Sequence, residues 1–340
     1  MRRRTLPAVL LLTGLAACSS GVTAKTSSSS GASGSAASSS SASGSAASPA
    51  NKLVGIVSIS ANEYGNAHAI DGVTKAAKAA GWKVSVVDAQ GSADKANAAI
   101  QNFAARKAGA IFDLVFPTTA IGGGLAAARS AGIPVATWGG GLGKGVVMTT
   151  GAGGPFAEPV VKQMLSDLGG KGSVLALTYH GGQVCRDREG VLDKQLKSAP
   201  GVKVSKNEVN IPGFEQDGQR YANAWLAGHP AGSGPLAVWG CWDGPALGAS
   251  AGLRQSGRLG DVKTYGENGG PDAIAAVKAG TLTATVYEDS TKEGKLMFTT
   301  TMQAMAAGSS WQPKNIDVPG TLVTKDTIAA LLTAHPDALG

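Results

Sequence analysis

The sequence predicts an α/β fold of two Rossmann-like, doubly wound lobes, each built on a parallel sheet. Two observations predict it. From residue 51 onward, short apolar runs alternate with amphipathic stretches in an unbroken beat. Strict alternation of this kind means parallel strands joined by right-handed crossovers. The alternating region is also about 290 residues long, large for one such sheet and comfortable for two.

The elements follow in order. Residues 53–57, Leu-Val-Gly-Ile-Val, form a run suited to a strand buried on both faces. Ile70, Val73, Ala77 and Ala80 come next at spacings of three, four and three, one face of a helix, and Gly81 is placed to end it. Residues 83–87 are the second strand, and Ala96, Ile100 and Phe103 mark the second helix face. A third strand is expected over 110–116, a helix over 124–130 and a fourth strand over 133–137, separated by glycine-rich joints. After Gly151 the beat resumes, with strands at 174–178, 202–209, 236–240, 262–265 and 283–287. Helices are expected over 159–168, 183–197, 216–227, 245–255, 271–278 and 291–307. Doubly wound sheets take ligands at the carboxyl ends of their strands, so two facing lobes make a cleft.

The N-terminus has a different chemistry. Arg2, Arg3 and Arg4 precede an apolar stretch over 6–17, and Leu15-Ala16-Ala17-Cys18 closes it. A cationic start, a short apolar run and small residues before a cut make a secretory signal. The last four residues also resemble the bacterial lipoprotein signal, in which a diacylglycerol is attached to the cysteine and cleavage falls just before it. Residues 1–17 are therefore read as a lipoprotein signal peptide and Cys18 as the lipidated residue, which anchors the protein to the outer face of the cell membrane. The arginines leave the export route, Sec or twin-arginine, open. Residues 18–50 are almost all Ser, Gly and Ala, too poor in apolar side chains to fold. They form a tether with a reach on the order of 30 Å.

Removal of the signal takes three arginines and lowers the formal charge from +7 to +4. No run of Lys and Arg remains to track a phosphate backbone, which argues against nucleic acid as a partner. No other stretch reaches the roughly 18 apolar residues of a membrane span. With Cys18 assigned to lipid, Cys185 and Cys241 remain in an oxidising compartment, either bridged or as two buried thiols.

Catalytic patterns do not hold up. Gly248-Ala249-Ser250-Ala251-Gly252 fits G-x-S-x-G, but that chemistry needs a strand-to-helix elbow, and these residues lie inside an expected helix. Gly122, Gly124 and Ala127 fit a dinucleotide fingerprint, but they follow the third strand and have no acidic ribose partner. Gly143-Lys144 lacks the following Ser or Thr of a phosphate loop. The histidines and cysteines show no metal-ligand spacing. The expectation is a non-enzyme without cofactor or metal.

The order of segments resembles the ribose- and galactose-type periplasmic binding proteins. Val54-Gly55-Ile56-Val57, Asp71-Gly72, Ala79-Ala80-Gly81-Trp82 and Val87-Asp88-Ala89-Gln90 carry the likeness in the first lobe, with Ala131-Gly132-Ile133-Pro134-Val135. Leu168-Gly169-Gly170-Lys171-Gly172, Ala246-Leu247-Gly248-Ala249, Gly270-Pro271-Asp272-Ala273 and Leu322-Val323-Thr324-Lys325 continue it over nearly all of 51–330. The resemblance implies a periplasmic binding protein of type I: two lobes joined by a three-strand hinge, closing on a small solute for an ATP-binding-cassette (ABC) permease. It implies a monomer, with 51–139 and 289–318 in lobe 1 and 140–288 and 319–340 in lobe 2.

Ligand positions carried over from the family fall on Arg186 and His180 in lobe 2, on Phe214 as a stacking ring, on Asn268 for an aspartate and on Glu288 for Gln or Asn. Asp243 is retained, but the Asn before it is Trp242. In lobe 1 the strand-end Asn is Phe116, the aspartate-arginine pair is replaced by Gly139-Gly140 beside Trp138, and Tyr64 is the one ring near the first strand. Glycines and aromatics in place of hydroxyl readers imply a ligand larger, flatter or less hydroxylated than ribose. The expected solute is a sugar or sugar-like molecule, with a nucleoside or other heteroaromatic as the alternative. A ligand-presenting sensor for a membrane receptor is the alternative role.

Overall fold

The computed structural model describes residues 51–339. The signal, Cys18 and the tether lie outside the described residues. Two parallel sheets carry the fold. The first contains β1 (Leu53–Ser58), β2 (Lys83–Asp88), β3 (Ala110–Leu114), β4 (Val135–Trp138), β5 (Val146–Gly151) and β11 (Lys314–Asp317), in the order β11-β5-β4-β3-β1-β2. The second contains β6 (Lys171–Thr178), β7 (Gly201–Glu208), β8 (Leu236–Gly240) and β9 (Val262–Tyr265), in the order β7-β6-β8-β9. Beside β9 runs β10 (Thr285–Tyr287), which pairs antiparallel with β12 (Thr321–Val323).

Helices cover both sheets, as parallel strands require. Those of the first are α1 (Tyr64–Ala79), α2 (Ala93–Ala105), α3 (Gly122–Ser130) and α9 (Ser290–Ala307). The others are α4 (Gly154–Asp167), α5 (Gln183–Leu196), α6 (Phe214–Leu226), α7 (Asp243–Gln255), α8 (Pro271–Ala279) and the short α10 (Ile328–Ala334). None of the described helices is long and apolar enough to cross a membrane. The chain passes between the two sheets at 151–154, 287–290 and 317–321, which gives the three connections of the expected hinge.

Most expected elements are present within a few residues. The third strand stops at Leu114, not residue 116, because Val115 turns to φ +81°. β5, β11, β12 and α10 were not expected. β5 pairs with β4 and β11, so residues 146–151 belong to the first sheet, whereas the expected boundary after residue 139 assigns them to the second lobe.

Glycines set the closest helix contacts. A β-carbon at Gly72 on α1 would overlap the Thr291 carbonyl on α9, and one at Gly294 would overlap the Ala69 carbonyl. Gly72→Ala is therefore expected to push α9 off α1 at a cost of about 1–3 kcal/mol. Urea denaturation reads it; an unchanged midpoint would show that the helices slide apart freely.

Candidate functional site

The cavity lies where the carboxyl ends of the two sheets face each other. The first lobe contributes Ile59 and Ser60 after β1, Glu63 and Asn66 at the start of α1, Val115 after β3 and Trp138 at the end of β4. The second contributes Tyr179, Ile211, Trp242 and Asn268 from strand ends, with Val184, Cys185 and Arg188 from the first turns of α5. The space between them is about 50 Å³, enough for about four ordered waters or one compact solute. The lobes are closed on it: Asn268 Nδ2 donates to Glu63 Oε1 at 3.1 Å and the Gln183 amide to the Val115 carbonyl at 2.9 Å.

Arg188 is the centre of the polar wall. It is 1 % exposed. Its Nε donates to the Ala152 carbonyl at 2.9 Å, and its Nη1 to the Cys241 carbonyl at 2.7 Å and Asn268 Oδ1 at 2.8 Å. Glu267 stands 3.2 Å from its Nε, and its guanidinium lies over the Phe156 ring. Asn268 is thereby held from both sides, by Arg188 and by Glu63, in a left-handed conformation with φ +107°.

Three of the expected ligand residues, Trp138, Trp242 and Asn268, line this cavity. The others lie elsewhere. Arg186 is exposed and its Nε donates to the His180 carbonyl. The arginine that reaches the cavity is Arg188, because residues three apart share a helix face and Arg188 lies with Cys185. His180 sits on the outer side, bonded to Glu189 at 2.8 Å and Glu208 at 3.1 Å in a network with Lys206. Phe116 is core beneath the glycine loop, and Phe214 packs edge-on behind Trp242 at 5.2 Å. Tyr64 faces outward, its ring 4.0 Å from that of His68, and partial burial, helped by the acids around it, pushes its hydroxyl up to about 12. Asp243 is a structural staple, accepting from Thr285 Oγ1 at 2.6 Å and the Gly270 amide at 3.0 Å. Glu288 is buried behind Gly65 with neither oxygen partnered.

The glycine pair does not make room for ligand. A β-carbon at Gly139 would overlap Val184, and one at Gly140 would meet Asp113 and the Phe116 carbonyl. These glycines let loop and lobes approach, and Trp138 and Trp242 narrow the cleft further. The cavity they leave is compact. Arg188, Glu63 and Asn66 were missed; the i, i+3 pairing of Arg188 with Cys185 was the available signal.

Cys185 and Cys241 are paired as a disulfide with Cα atoms 5.3 Å apart, tying the start of α5 to the end of β8 in the cavity wall. Ser250 is buried in mid-helix, its hydroxyl 3.2 Å from that of Thr264, while Gly248 and Gly252 admit α6. The G-x-S-x-G pattern is helix packing.

Burial governs the carboxyls behind the cavity. It pushes Asp243 from 3.8 up to about 7, Glu293 from 4.5 up to about 7, and Glu267 from 4.5 up to about 8 against the pull of Arg188. Glu288 and Asp113 are also raised well above the usual range by burial. The folded protein thus holds protons that the unfolded chain has released. Their contribution to stability is complete below the ordinary carboxyl range and is lost as pH rises toward 8. Urea titrations are expected to show the unfolding free energy falling between pH 4.5 and 8; a rise over that interval would mean that these carboxyls ionise in the fold.

Two doubly wound lobes, joined by three crossings around an inter-lobe cavity, define a cleft-type binding fold. The chain belongs to the family described as periplasmic binding protein domain, whose model matches residues 54–309. It is 29 % identical over 238 residues to the ribose import binding protein of Bacillus subtilis (strain 168), covering 66 % of this chain and 72 % of that one. An ABC transporter solute binding protein from Agrobacterium vitis, solved with bound allitol, is 28 % identical with a TM-score of 0.77, over 84 % of this chain and 100 % of that one. Another from Mycobacterium smegmatis, with bound glycerol, is 25 % identical with a TM-score of 0.73, over 82 % and 96 %.

Proposed function

We propose that this chain is the extracytoplasmic substrate-binding lipoprotein of an ABC importer and that its solute is a sugar or sugar alcohol. It works as a monomer, held by a lipid on Cys18 and a loose tether beside its permease. Hinge closure brings Glu63, Asn66 and Trp138 of one lobe against Arg188, Trp242 and Asn268 of the other. The observation that carries this is the hydrogen-bonded bridge Arg188–Asn268–Glu63 across the cleft, flanked by two indoles: donors and acceptors for hydroxyls, flat faces for a carbon skeleton. The bound allitol of the Agrobacterium relative and the ribose in the name of the Bacillus one support the solute class.

A thermal-shift panel of pentoses, hexoses, sugar alcohols and nucleosides tests it. A solute at 100 times its Kd stabilises by about 2.7 kcal/mol. Shifts with nucleosides alone would overturn the sugar assignment. Trp242→Ala is expected to weaken the bound sugar tenfold or more while the protein stays folded, since a stacked ring and its buried area are lost; unchanged affinity would place the site elsewhere. For the anchor, labelled palmitate should enter the wild-type protein and not Cys18→Ser.

A further inference from the structure

The polar side chains of the cavity use most of their capacity on one another. Glu63 accepts from the Asn66 amide and from Asn268, Asn66 Nδ2 donates to the Ser60 carbonyl, and Arg188 donates to two carbonyls and Asn268. Two buried atoms there are left over, the acceptor Asn66 Oδ1 and the donor Arg188 Nη2. Trp242 Nε1 also lacks a partner, but it lies beside Gly244 and the Phe214 ring. The rest of the lining makes a mostly apolar wall: Val115, Ile59, Ile211 and the rings of Trp138, Trp242 and Tyr179. Val115 is a β-branched residue at φ +81°, a conformation such side chains rarely adopt. It is held there by its amide donating to the Trp138 carbonyl and by the Gln183 amide on its own carbonyl. Strained backbone of this kind clusters at ligand clamps and active sites.

We infer that the solute is a partly deoxygenated sugar or sugar alcohol, with a hydroxyl edge set between Asn66 and Arg188 and an edge bare of hydroxyls against Val115 and the rings. This rests on the sugar assignment above. A hydroxyl facing that wall is buried without a partner, and its desolvation weakens binding tenfold or more.

Calorimetric titration of the folded protein with D-ribose, L-arabinose and D-galactose, each against its terminally deoxygenated derivative, tests it. In at least one pair the deoxy sugar is expected to bind at least tenfold more tightly. If the parents bind as well or better in every pair, the inference fails and the sugar assignment stands. If all six are silent, both fail. Val115→Asn supplies the second arm, because asparagine tolerates the left-handed backbone while placing an amide at the wall. It should weaken the deoxy sugar about tenfold and erase the preference; an unchanged preference overturns the inference.

Discussion

Above pH 8, where Glu267 is ionised in the fold, Arg188→Met is expected to abolish measurable solute binding and to lower the unfolding free energy by about 3–5 kcal/mol, the usual effect of removing one member of a buried ion pair. Methionine keeps much of the stem's volume over Phe156, so the loss reads the guanidinium. Without it the carbonyls of Ala152 and Cys241 lose a buried donor, Asn268 loses one of its two clamps, and Glu267 loses its cation. Adding Glu267→Gln to Arg188→Met removes the stranded carboxyl. That double variant should regain stability and still fail to bind. Urea denaturation and calorimetry together check it; an Arg188→Met protein that binds normally would remove Arg188 from the site.

Breaking the bridge between Cys185 and Cys241 is the second large effect. The two residues are 56 apart in sequence, and releasing a loop of that length from the unfolded chain is worth about 4 kcal/mol in the chain-entropy account. For a domain of this size that is roughly 10 °C of melting temperature. Dithiothreitol should lower the Tm of the wild-type protein toward that of Cys185→Ala/Cys241→Ala and leave the double variant unmoved. Equal melting of wild type with and without reductant would show that the bridge carries no stability. Solute affinity should fall too, since Cys185 lines the cavity and the Cys241 carbonyl accepts from Arg188.

The fold was legible where periodicity is strong. The runs that became β1, β6 and β8 are apolar through most of their length because helices cover both faces, and that pattern needs no tertiary knowledge. β5 and β11 were illegible because Val-Val-Met-Thr-Thr-Gly and Lys-Asn-Ile-Asp are short, partly polar and next to glycine-rich or coil segments. The site was legible in Trp138, Trp242 and Asn268. Trp138 and Trp242 stand at strand ends, where any doubly wound sheet presents residues to a cleft. Arg186 and Arg188 differ by two positions, and on a helix that moves a side chain from solvent to core. Asp243 and Glu288 kept the positions of ligand residues, but one is bonded into its own lobe and the other lies buried behind Gly65.

The three crossings impose an order on biogenesis. The first sheet gains its edge strand only at residues 314–317, and the α1 face is covered only when Met297 and Phe298 arrive. The lobe whose sequence emerges first is therefore completed only near the C-terminus, shortly before β12 and α10 complete the second. A chain threading outward from its N-terminus keeps that lobe open until nearly all of it has passed, and contacts this distant in sequence form slowly.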